Sequence, residues 1–386
     1  MRLLIIPMLM SIFLYGQNLD EMLSAIKQNH PLAKSIAQKK IAFGYEAFLE
    51  ELNEPPSLSL SNAYAKPKDD KSGYEYTLEL SQNILFSKAK QAQKNATVFK
   101  NESELLKEQN EFDLLLNDIS LEYHTTCLDQ LRLSYYESEI DSIREIYAKK
   151  SKAYSLGEIN KKELLELEVE LDRLEDELNI YKNELNISYM DLEGKTLLEL
   201  NSLSCDDLLP IDEQVQLKQA QNSIEKSYDK LISSYDFEAS RYSSNFDSLE
   251  VGLAYEHELD VTRYKLNLSI PLNFNSYESQ KLLALHNKQA VVFEKEAYSL
   301  KNQTDIKILK KKLDFRSKNI KIATNIAKKY QDELLPLAKL AYLQGESSLI
   351  DFLLYQRDFF SSKENLMKSY KKYYETLFEL YGLTKE

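Results

Sequence analysis

The sequence predicts a mainly α-helical chain with a small β part, built twice over. Three observations carry this: very few helix breakers in 386 residues, long runs with one apolar seam, and a fixed offset at which the halves repeat. Eight glycines, eight prolines, 29% charged residues and no tryptophan are the composition of long helices and coiled coils. A formal charge of −13 argues against a nucleic-acid partner, because binding phosphates needs a concentrated basic surface. The Lys-rich stretches KILKKKL and SYKKYY are interleaved with acids and read as solvated helix faces.

The chain opens MRLLIIPMLMSIFLYGQN, with Arg2, an apolar run from Leu3 to Leu14 and a small residue, Gly16. That layout predicts a secretory signal peptide over residues 1–16. No other segment offers the ~18–20 consecutive apolar residues of a spanning helix. Export to an oxidising compartment permits a disulfide between the only two cysteines, Cys127 and Cys205. Cys127 falls in a long helical run and Cys205 in a linker, so two partly buried thiols are the expectation.

The repeat has an offset of 188: Tyr154 falls on Tyr342, Gly157 on Gly345, Glu158 on Glu346, and Gly194 on Gly382. Far upstream, YTLELSQNILFS falls on YKLNLSIPLNFN at the same offset. The first unit is expected over 17–210, with a strand pair at 57–86 and a helical turn at 157. The second covers 211–386, with a strand pair at 248–274 and a turn at 345.

Each unit starts with a helix, from LDEMLSAIKQNHPLAK in the first and IDEQVQLKQAQ in the second. Segments alternating with period two follow, their apolar positions being Leu58, Leu60, Leu78, Leu80, Val251, Leu253, Leu266, Leu268 and Ile270. The polar stretches KPKDDKSG and HELDVTR read as the hairpin loops. A very long helix then runs from Ser87 to Leu156, and a second returns after Gly157. The returning helix spaces Leu164, Leu167, Leu171, Leu174, Leu178, Tyr181 and Leu185 by alternating threes and fours, a heptad seam for a supercoiled neighbour. Pro336 should kink the corresponding helix of the second unit shortly before Gly345. Both turn glycines suit the positive-φ conformation that ends a helix without strain.

Strands of about ten residues suit a tilted bilayer crossing, but four cannot close a barrel and open edges do not survive in hydrocarbon. If these strands meet lipid, several chains must share one barrel. The order of the signal peptide, NHP, PPSLSLSNAY, the strand ends SQNILFS and SIPLNFN, the twice-repeated Y-x-x-G-E and the helix ends LEG and LYG resembles the TolC-like outer-membrane efflux proteins, across residues 17–386. The resemblance implies a homotrimer with a shared β-barrel and an α-helical tunnel in the periplasm. It further implies docking to a periplasmic adaptor and an inner-membrane pump or secretion transporter. The docking tip would comprise Leu156, Gly157, Glu158, Gln344, Gly345 and Glu346. Asp351, Glu163 and Glu166 would stand as lumen gate residues, where a ring of carboxylates on a threefold axis would raise their pKa values.

His30, His124, His257 and His286 are scattered without metal-site spacing, and no phosphate loop or nucleophile elbow exists. The expectation is therefore no enzyme, no cofactor and no metal. An exported coiled-coil scaffold or adhesin, with the hairpins as a soluble tip, is the rival reading. A periplasmic adaptor is a third, disfavoured by the duplication.

Overall fold

The structure, a computed structural model, describes residues 18–66, 72–200, 202–211, 222–243, 246–272 and 274–384. The expected signal peptide, residues 1–16, lies outside the described residues. In chain order the elements are α1 (Leu19–Asn29), α2 (Pro31–Leu49), β1 (Ser57–Ala65), β2 (Gly73–Leu85), α3 (Ser87–Ser155) and α4 (Lys161–Thr196). The second half supplies α5 (Ser223–Arg241), β3 (Ser248–His257), β4 (Thr262–Ser269), α6 (Phe274–Lys329), α7 (Leu335–Gln344) and α8 (Leu349–Thr384). Two compact units draw on both halves of the sequence. Of the described residues, one gathers those within 18–33, 112–211 and 303–384; the other gathers those within 34–111 and 222–302.

The second of these holds the sheet. Its four strands are antiparallel in the order β1-β2-β3-β4, leaving one edge of β1 and one of β4 unpaired among the described residues. Ile270, expected in the last strand, stands one residue beyond its end at Ser269. Helices of the same unit pack through Phe99 stacked on Phe237 at 5.5 Å and through the Ser234 hydroxyl, which donates to the Ala96 carbonyl at 2.7 Å.

The other unit is helical. The α4 seam buries Leu167, Leu174, Leu178 and Leu185, and its first three meet Tyr136, Ile140, Ile143 and Ile146 of α3 in one core. That core continues into Leu335, Ala338 and Tyr342 of α7 and Phe352, Phe359 and Phe360 of α8. A second core joins Leu309, Leu313, Ile320 and Ala327 of α6 to Leu366, Tyr373, Tyr374, Leu377 and Leu380 of α8.

Three local features differ from the sequence expectation. The first helix is two: His30 is extended (φ −62°, ψ 137°) and Pro31 starts α2. Proline pushes the residue before it out of the helical region and is at home at a helix start. At Pro336 the path passes through a π turn, Tyr330–Leu334, in which the Leu335 N–H reaches the Tyr330 carbonyl. The wider turn precedes a proline that has no N–H to give. Third, Cys127 and Cys205 are joined in a disulfide with their Cα atoms 5.4 Å apart, so the expectation of two separate thiols is overturned. The linker after α4 folds back over α3, where the Tyr123 hydroxyl donates to the Ser204 carbonyl, and this brings the sulfurs together.

Candidate functional site: paired helical turns and an exposed apolar sheet face

The two turns have one geometry. At the end of α3, Gly157 has φ +76°, its N–H donates to the Tyr154 carbonyl at 2.9 Å, and the Glu158 N–H reaches the Ala153 carbonyl at 2.9 Å. At the end of α7, Gly345 has φ +78°, with Gly345 N–H to Tyr342 at 3.1 Å and Glu346 N–H to Ala341 at 2.8 Å. This pair of bonds is the Schellman motif, which satisfies the last helix carbonyls and needs a residue tolerant of positive φ. Leu156, Gly157, Glu158, Gln344, Gly345 and Glu346 are all exposed.

The helices that leave the turns are capped differently. Asn160 caps α4, its Oδ1 accepting from the Glu163 N–H at 2.9 Å. Ser348 and Asp351 form a reciprocal box at the start of α8. The Asp351 N–H donates to Ser348 Oγ at 3.1 Å, while the Ser348 hydroxyl and N–H donate to Asp351 Oδ2 at 2.6 and 3.2 Å. The Ser348 hydroxyl and N–H hold the exposed Asp351 carboxyl below its ordinary value.

Glu163 is more engaged than an acid on a solvated flank. Partial burial pushes its pKa up, but the Lys150 ammonium at 2.9 Å and the Tyr342 hydroxyl at 2.7 Å outweigh that and leave it lowered. Lys150 also sits 4.2 Å from the centre of the Tyr342 ring. Within one chain, then, both Asp351 and Glu163 are shifted down. Their partners are local donors and a cation rather than like charges. Glu166 stands 3.5 Å from Lys162, one turn away.

Sequence reasoning passed over two further features here. Lys150 has Ala338 as its repeat mate, so the Lys150–Tyr342–Glu163 cluster belongs to one half only, and that asymmetry is its one sequence signal. Glu170, 2% exposed, lies close to Arg173 and accepts from Arg357 at 2.9 Å, tying α4 to α8. Burial pushes its carboxyl up, and the two guanidiniums more than reverse this.

The sheet sorts its residues by face. Directly paired residues share a face in an antiparallel sheet. One row joins Leu58, Leu80, Leu253 and Leu266; the next joins Leu60, Leu78, Tyr255 and Tyr264; and Val251 pairs with Leu268. The other face carries Ser59, Glu79, Ala254 and Lys265 in one row and Ser61, Thr77, Glu256 and Arg263 in another. The six leucines of the two apolar rows are between 42% and 73% exposed. Tyr64 and Tyr74 pair edge-on at 5.1 Å towards one end of this face, and Tyr255 lies 5.4 Å from Tyr264. A continuous leucine face open to solvent, with tyrosines at one end, is the arrangement of a lipid-facing barrel wall.

Among the described residues no cluster of three or more His, Cys, Asp or Glu could hold a metal ion, and no helix is long and apolar enough to cross a membrane.

No protein-family model and no curated protein matches the chain. Solved structures do. It is similar to CusC, a transmembrane channel, at a TM-score of 0.77 and 14% identity over 95% of this chain and 92% of that one. It is similar to the MtrE outer-membrane channel of Neisseria gonorrhoeae (TM-score 0.74, 13% identity, 95% and 88% covered). It is also similar to the CmeC outer-membrane channel of Campylobacter jejuni (TM-score 0.70, 14% identity, 95% and 85% covered). The fold is that of the TolC-like outer-membrane efflux channels, as the sequence resemblance implies.

Proposed function

We propose that the chain is one protomer of a trimeric outer-membrane exit duct, serving a tripartite efflux pump or a type I secretion system. The exposed leucine face spanning all four strands carries this reading. A soluble sheet buries such a face, whereas these leucines stay 42–73% exposed among the described residues. The free edges of β1 and β4 support sharing. With four alternating strands per chain, β4 of one copy lies antiparallel to β1 of the next, so a ring of copies closes without an edge. The polar face then lines the lumen. The rival scaffold reading leaves the leucine face unexplained.

In this proposal the chain enters the export route by its signal peptide, residues 1–16. The helical part lies in the periplasm, and Leu156, Gly157, Glu158, Gln344, Gly345 and Glu346 offer the docking surface to an adaptor. The duct does no chemistry, binds no cofactor and draws its energy from the pump. Asp351, exposed at the head of α8, is the best placed of the three gate candidates, with Glu166 next. Glu163 spends its carboxylate on Lys150 and Tyr342.

The test is reconstitution of the detergent-purified protein into a planar bilayer after recovery from an outer-membrane fraction. Stepwise conductance supports the duct. Recovery in the soluble periplasmic fraction, with no conductance, sinks it. Weaker cation preference in Asp351→Ala would support the gate assignment, and unchanged selectivity would remove it.

A further inference from the structure

The buried seam of α8 is interrupted by polar residues. Leu349, Phe352, Gln356, Phe359, Lys363 and Leu366 are all buried and step by alternating threes and fours, a heptad pattern. Gln356 and Lys363 are its two polar members, seven residues apart and so on one face, two turns along. A polar residue in such a seam lowers the stability of the packed helices. The first half of the chain has no counterpart: Glu168, the repeat mate of Gln356, is exposed on α4.

The two polar positions are treated differently. Lys363, 8% exposed, donates to Gln331 Oε1 in the π turn at 2.5 Å and lies 4.2 Å from the centre of the Tyr135 ring. Gln356 is 0% exposed, and neither its amide oxygen nor its nitrogen has a hydrogen-bond partner among the described residues. Tyr342 stacked on Phe352 and Gln331 bonded to Lys363 share one antiparallel register. In that register Ala338, four residues before Tyr342, is level with Gln356, four after Phe352. Alanine offers the amide no side-chain partner. The polar residues next to these two are engaged elsewhere: Lys339 donates to Ser142 at 2.6 Å and Arg357 to Glu170 at 2.9 Å.

A buried amide without partners gives up the hydrogen bonds that water supplies, a cost that a leucine of similar size does not carry. Gln356 recovers them when α8 parts from its neighbours at this level and water enters. The residue therefore disfavours the packed arrangement and not the loosened one, and a difference of that kind shifts a two-state balance. Asp351, the gate candidate, stands five residues earlier on the same helix, so loosening α8 here displaces it.

We infer that Gln356 poises the gate: its unpaired amide holds the packed arrangement of α8 close in free energy to a released one, and so sets how much of the time the duct stands open. This rests on the exit-duct reading and adds the residue that sets the balance.

The test compares wild type, Gln356→Leu and Gln356→Glu as full-length proteins, purified in detergent and reconstituted in planar bilayers. Gln356→Leu should raise the unfolding temperature by several degrees and cut the open fraction several-fold, at unchanged single-channel conductance. Gln356→Glu, which buries a charge, should unfold earlier and stay open longer. The leucine arm decides alone if the glutamate variant does not assemble. A leucine variant no more stable than wild type would mean that the amide is satisfied, and overturns the inference. A leucine variant that is more stable yet opens as often as wild type overturns it too, because the amide would then strain the fold without touching the gate. Either result, obtained with a conducting wild type, leaves the exit duct standing. A wild type that never conducts overturns both.

Discussion

Replacing His124 by phenylalanine should make the helical unit resist mild acid. His124 on α3 is fully buried, stacked on Tyr374 at 4.9 Å and on Phe378 at 5.6 Å. Neither ring nitrogen has a hydrogen-bond partner among the described residues. Burial lowers its pKa from 6.5 to about 4. Between those values the unfolded chain takes up a proton that the folded chain refuses. The neutral ring's contribution is therefore complete above pH 6.5, falls as the pH drops, and is gone near pH 4. At about 1.36 kcal/mol per pH unit, the wild type loses about 2 kcal/mol by pH 5 and about 3 kcal/mol in all. Phenylalanine keeps the stack, gives up no hydrogen bond and does not titrate, so His124→Phe should be neutral to stabilising at pH 7.5. Thermal unfolding of both proteins at pH 7.5, 6 and 5 reads the effect, and the difference between them cancels the shared carboxylate titrations. The gap should widen steadily towards pH 5. A gap that stays constant refutes the claim that His124 is held neutral by burial.

Reduction, or Cys127→Ala/Cys205→Ala, opens a loop with a sequence separation of 78, for which loop-closure entropy gives a loss of about 4–5 kcal/mol; an unchanged unfolding midpoint under reducing conditions would contradict this. Gly345→Ala meets no heavy atom within 4 Å, so its loss is the backbone strain alone, about 1–2 kcal/mol at φ +78°. The same substitution at Gly157 should behave alike, and a midpoint unchanged in both variants would remove the argument for positive φ. Leu266→Arg on the leucine face should lose about 2–4 kcal/mol in lipid and deplete the assembled protein from the outer membrane. Ser269→Arg, paired with Glu250 on the polar face, should assemble normally. Equal depletion of the two would contradict the assignment of faces.

What could be read from the sequence was local. Periodicity placed the four strands and the α4 seam, because the side-chain period reports which face is buried. The two turns followed from glycines that a helix interior avoids, and their φ angles of +76° and +78° bear this out. The break at His30 was legible in the NHP triplet, yet helical composition on both sides obscured it. What escaped depends on partners distant in sequence. The disulfide needs the linker to fold back on α3, the Lys150–Tyr342–Glu163 cluster joins three helices, and Glu170 meets Arg357 across 187 positions. No pattern within one helix announces these. The gate candidates rest on position alone, and the lowered pKa values of Asp351 and Glu163 reflect neighbours that position does not reveal.

The native mass of the mature protein, extracted by detergent from an outer-membrane fraction, tests the central claim most directly. A stable complex of three chains that dissociates on heating is the predicted result, since only shared closure removes the open edges of β1 and β4. A single chain that stays soluble without detergent would mean that the leucine face never meets lipid, and the exit-duct account would fall.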